Sequence, residues 1–105
     1  MSELIVILCT APDEAVAETL ARGLVDARLA ACVNAIPGVR SFYRWKGKIE
    51  SDSEVQLLIK TQPAHFDEIT KWLEEHHPYE TPELVALPAA RVSNTYLQWA
   101  IAQLE

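Results

Sequence analysis

The sequence is short of glycine, cysteine and positive charge, and each shortage excludes something. Three glycines in 105 residues leave no room for a loop that cradles phosphate with backbone N–H groups. The two cysteines, Cys9 and Cys32, form no CxxC pair, so a structural zinc finger is not indicated. Nine basic residues stand against fifteen acidic ones, for a formal charge of −6. A nucleic-acid or membrane-surface binder needs a cationic footprint, so neither partner is expected. The longest apolar run, "LIVILC" at Leu4–Cys9, is too short to span a bilayer. It follows Ser2 and Glu3 and so lacks the positive flank of a signal peptide. The chain is therefore expected in the cytoplasm, with both thiols reduced. No low-complexity stretch, linker or tandem repeat interrupts it. What is present is ordinary globular material, 50% hydrophobic and 23% charged, expected to form one domain over residues 1–105.

Periodicity divides that material into elements. "LIVILCT" is β-branched and apolar throughout, as suits a central strand with covered faces. In "APDEAVAETLARGLVDARL" the period changes: Val16, Leu20 and Leu24 recur every four residues on one face of an amphipathic helix. Pro12 suits its first turn, and Asp13 and Glu14 complement its positive end. "AACVNAIPGVRSFYRW" predicts a second strand, bent at Pro37-Gly38. Beyond the bend, Val39, Ser41, Tyr43 and Trp45 face one way, and Arg40, Phe42, Arg44 and Lys46 the other. Lys46-Gly47 signals a hairpin, from which "KIESDSEVQLLIKT" returns as a third strand. "PAHFDEITKWLEEHH" is a second amphipathic helix, opened by Pro63, buried through Phe66, Ile69, Trp72 and Leu73, and stopped by Pro78. "ELVALPAAR" predicts a fourth strand, and "SNTYLQWAIAQLE" a closing helix capped by Ser93 or Asn94.

The order is strand–helix–strand twice over, plus a terminal helix. That is the α+β, ferredoxin-like βαββαβ arrangement, with an antiparallel sheet in strand order 4-1-3-2 and both long helices on one face. Two consequences follow. The second and third strands, near Ala30–Trp45 and Lys48–Thr61, are about twice as long as a common strand of about five or six residues. Their aromatic tip overhangs the sheet, and a long apolar edge is unstable alone in water, so the hairpin is expected to dock on a neighbouring subunit. Of the nine basic residues, Arg40, Arg44, Lys46 and Lys48 lie at the tip of this hairpin. Glu50, Asp52 and Glu54 on the returning strand are expected to offset them by cross-strand pairing.

The second consequence joins distant residues. Helix two ends at the same end of the sheet as strand one, which brings Cys9 towards His76 and His77. A thiolate with two imidazoles is a credible soft-metal set for Cu(I), Cu(II) or Zn(II). Neighbouring helical residues diverge, but His77 precedes Pro78 and is pushed out of the helix, which allows the rings to converge. A plainer reading stands beside this one: two cations at a helix C-terminus and a small buried hydrophobe. His65, at the opposite end, reads as a surface residue. No flanking motif supports Cys–His catalysis, and Glu74, Glu75, Glu80 and Glu83 read as a solvated helix end and loop. No catalytic residue is assigned.

The stretches "LCTAPDEA", "LAACVNAIPGVRSFYRWKGKIESDSEVQLLIKT", "HHPYETPELVALP" and "YLQWA" closely resemble the CutA divalent-cation tolerance family, across essentially the whole chain. The resemblance implies a ferredoxin-like fold, a cytoplasmic homotrimer, and a non-enzymatic role in tolerance of divalent cations, copper above all. It also implies a copper site at Cys9, His76 and His77. Many relatives have a single histidine before "PYE" or lack the first cysteine, so metal binding is less general than the fold. The family is similar to the PII signalling proteins, which implies a second class of function: a small-ligand or anion sensor in which "YRW", Lys60, Tyr79 and Glu83 line a cleft between subunits.

Overall fold

Strand β1 (Ile5–Ala11) forms the spine of the molecule; buried and half-buried side chains alternate from Ile5 to Leu8, and Cys9, Thr10 and Ala11 are all buried. The computed structural model describes residues 3–105, and Met1 and Ser2 lie outside the described residues. Helix α1 (Glu14–Asp26) follows, and Asp13 serves as its N-cap: Oδ1 accepts the Val16 N–H at 2.9 Å. Its buried stripe is Ala17, Leu20 and Leu24, with Val16 packed at the margin. Past the helix end, Arg28 takes φ of 60° and the Leu29 N–H returns to the Leu24 carbonyl at 3.0 Å. This left-handed stop turns the chain into the sheet.

Strands β2 (Cys32–Trp45) and β3 (Lys48–Thr61) are fourteen residues each, against seven in β1. Lys46 and Gly47, with φ of 51° and 83°, form the tight turn between them, the mirror-image geometry that matches the twist of a hairpin. β3 pairs with β1 only from Val55 to Thr61, so the remainder of the hairpin overhangs, as its length predicts. Within it the register shifts between Ile36 and Val39: three steps along β2 oppose two along β3, Gln56 to Glu54. This bulge holds Gly38 at φ of 82°, a conformation that an added side chain would strain.

After a short 3-10 turn (Pro63–His65), helix α2 (Phe66–His76) buries Ile69 and Leu73. Strand β4 (Val85–Pro88) is four residues long, shorter than "ELVALPAAR" suggests, and pairs antiparallel with β1. Helix α3 (Asn94–Leu104) is capped by Ser93, whose side chain accepts from the Tyr96 N–H. The sheet order is β2-β3-β1-β4 with every pairing antiparallel, which is the expected ferredoxin-like arrangement. The odd-numbered side chains Ile5, Ile7, Cys9, Leu57 and Ile59 pack with the stripes of α1 and α2 into one core, so both long helices cover one face. α3 forms a second cluster, in which Ala100 and Leu104 meet Leu4 and Ala31.

Candidate functional site

The topology brings the end of α2 against the end of β1, as the element order requires. The His77 Nε2–H donates to the Thr10 carbonyl at 2.8 Å, across 67 positions of sequence. His77 is the C-cap of α2, with φ −78° and ψ 138°, extended as expected of a residue before proline. Its other ring nitrogen, Nδ1, accepts the Tyr79 N–H at 3.0 Å. The ring is 7% exposed and both of its nitrogens are engaged. His76 is exposed and stacks on Trp72 with centroids 4.0 Å apart. Its Nδ1–H donates to the Trp72 carbonyl at 2.7 Å, which turns Nε2 outward as a free lone pair. Cys9 points into the helix-covered core and is fully buried. Burial, and then the nearby charge of Glu83, push its thiol up to about 12.

These three residues therefore share one corner but not one coordination sphere. A ligand histidine commonly donates through one nitrogen and binds metal through the other. His76 has that arrangement and His77 does not. Among the described residues, no group of three His, Cys, Asp or Glu side chains is gathered closely enough to hold a metal ion. As folded, the corner does not fit copper as a three-ligand site. His65 lies in the 3-10 turn that precedes α2, away from this corner.

Beside the corner a cavity of about 790 Å³ opens between the hairpin and the loop after α2. From the hairpin, Tyr43, Trp45 and Glu54 line it; from the loop, Tyr79, Glu80 and Glu83. Glu54 is buried, and Tyr79 donates its hydroxyl to Glu54 Oε2 at 2.5 Å. Burial, and then that contact, push the Tyr79 phenol well above its ordinary range. Tyr43 donates to Asp52, which raises its phenol to about 12. The Glu83 carboxyl is raised by burial and then by the charge of Glu54.

Two expectations change here. Glu83 is half-buried against a second carboxylate rather than solvated. Lys60 and Arg44 do not line this cavity of the single chain, which is not the expected cleft between subunits; Lys60 meets Asn34 and Cys32. The hairpin acids and bases do not neutralise one another: among the described residues, the ion pair found is Arg22–Glu18. Registration explains the last point. Past the bulge, Glu50, Asp52 and Glu54 share a face with Tyr43, Ser41 and Val39, whereas Arg40 and Arg44 lie opposite Ser53 and Ile49 on the other face. Sequence reasoning missed Glu54, whose burial depends on Tyr79 25 positions later. Its only sequence signal is a lone acid continuing into the apolar run "VQLLI".

Fold and site define a class: an α+β protein of ferredoxin-like order with an overhanging hairpin, a cavity beneath it and a buried Cys–His corner. The model of the CutA1 divalent ion tolerance protein family matches residues 5–103, and the chain belongs to that family. It is 49% identical to the divalent-cation tolerance protein CutA of Pectobacterium atrosepticum, over 99% of this chain and 94% of that protein. Solved structures agree. A divalent cation tolerance protein (Cut A1) from Thermus thermophilus superposes with a TM-score of 0.88 at 47% identity, covering 95% of each chain. The periplasmic divalent cation tolerance protein CutA from Archaeoglobus fulgidus superposes at 0.92 and 36% identity, covering all of both. Among the described residues, no helix is long and apolar enough to cross a membrane.

Proposed function

We propose that this chain acts in divalent-cation tolerance by binding copper, as Cu(I) or Cu(II), within a homotrimer, with zinc and other divalent cations as alternative occupants. Its role is binding rather than catalysis. The observation that carries the reading is family membership over nearly the whole length. Cys9, His76 and His77 are the candidate ligands. His76 is the donor that already presents a free nitrogen. Recruiting the other two requires His77 to exchange one of its backbone hydrogen bonds and Cys9 to lose a proton that burial holds on it. Both thiols are free, which favours the cytoplasm; the periplasmic description belongs to the Archaeoglobus relative.

Copper titration of the wild type against Cys9→Ala, His76→Ala and His77→Ala tests the assignment. His76→Ala should weaken binding most, by about tenfold or more, the usual scale for disturbing a ligand set. Equal affinity in all four proteins would remove the copper site. A second reading, a small-ligand sensor of the PII kind, is favoured by one observation: the cavity under the hairpin is large enough for a small organic molecule.

A further inference from the structure

That cavity has a chemistry that the metal reading does not use. Three carboxylates, Glu54, Glu80 and Glu83, line it, and no described Lys, Arg or His does so. Its walls also carry Phe42, Tyr43, Trp45 and Tyr79. Two of these rings already accept a cation from the hairpin itself: Arg40 lies 5.4 Å from the Phe42 centroid and Lys46 lies 5.9 Å from that of Trp45. Glu54, only 8% exposed, has a neutral hydrogen-bond partner in the Tyr79 hydroxyl. Among the described residues neither Glu54 nor Glu83 has a cation within ion-pair distance. Burying a carboxylate without a counter-charge is unfavourable, and the second carboxylate adds repulsion. A positively charged occupant relieves both, and aromatic faces stabilise it further. An anion meets repulsion from the three carboxylates.

We propose that this cavity binds a small organic cation, an aliphatic amine or diamine, with its ammonium at Glu54 and Glu83 and its hydrocarbon body against Tyr79, Tyr43 and Trp45. The proposal rests on the small-ligand reading and is independent of copper. A bare metal ion is the poorer match, because three suitably gathered donors are lacking among the described residues and rings add little to a hydrated ion.

Calorimetric titration of the full chain with putrescine, with succinate as a dianion of similar length and with magnesium chloride, tests it at low salt in an amine-free buffer. Putrescine should bind about tenfold or more tightly than either control, and Glu83→Gln should weaken it about tenfold, while Trp45→Leu should weaken it about threefold to tenfold. Trp45 is 41% exposed in the single chain, and Trp45→Leu, chosen to keep the wild-type assembly by light scattering, carries the test if Glu83→Gln melts below the wild type. Magnesium binding as tightly as putrescine, or putrescine affinity unchanged in both variants, would overturn the proposal. Succinate binding in place of putrescine would overturn it too, yet leave the small-ligand reading standing. Silence from all three probes would remove both.

Discussion

Two histidines adjacent in sequence finish in unlike chemical situations, and their neighbours' backbone groups decide which. His76 keeps its helical bond to Trp72 and offers Nε2 outward; His77, turned by Pro78, is fastened by Thr10 and by the Tyr79 N–H. The ligand types were legible in "HHPY", because residue identity alone carries them. Their availability was not, because it depends on carbonyls that folding brings near. Cys9 is the same case. Its thiol, at about 12 against an ordinary 9.0, holds a proton that the unfolded chain releases at lower pH. The folded state is therefore favoured below about pH 9, and that contribution is lost as pH rises towards 12. At neutral pH, brief iodoacetamide treatment should leave Cys9 unmodified in the native protein and modified in urea, read by peptide mass spectrometry. Rapid native labelling of Cys9 would show that the corner opens far more readily than its packing implies.

At the scale of elements, the alternation of the hairpin, the stripe of each helix and the stops at Pro78 and Lys46-Gly47 were readable, since periodicity and turn chemistry are local. The bend at Pro37-Gly38 was readable as well, but its effect on pairing was not. The extra residue puts Ile36 and Val39 on one face although three positions separate them, while the two-residue turn sets the arginines Arg40 and Arg44 and the acids of β3 on different faces. Helix packing hides another such dependence. A Cβ added at Gly23 of α1 would lie 2.5 Å from the Trp72 ring of α2, and that ring is already stacked on His76. Gly23→Ala gains about 1 kcal/mol of helix propensity, but the overpacking it causes costs about 1–3 kcal/mol. The urea midpoint should fall, and Trp72→Leu in the same chain should restore it. A midpoint that rises in Gly23→Ala alone would mean that the indole swings aside freely.

At the scale of the whole molecule, apolar surface is concentrated on the overhang and at the outer edge. Phe42 is 67% exposed and Ile49 72%, while β4 presents Val85 and Leu87 at the sheet edge. A lone chain with such a surface invites association. Light scattering should report an assembly of three chains of 11.8 kDa, and Ile49→Asp should shift it towards monomer by about tenfold or more in dissociation constant, the scale of placing a charge in an apolar contact. A monomer in the wild type at micromolar concentration would contradict the trimer. The hairpin turn has one more effect at this scale. On a ladder of period two, the two-residue turn at Lys46-Gly47 sets odd positions of β2 opposite even positions of β3, which places Tyr43 and Ser41 on the face of the β3 acids and Arg40 and Arg44 on the other. A slip of one residue between the two arms would put both guanidinium groups on the carboxylate face. The electrical sign of the cavity, and with it the kind of molecule it can admit, is thus a counting property of the backbone, set by the register that one tight turn imposes.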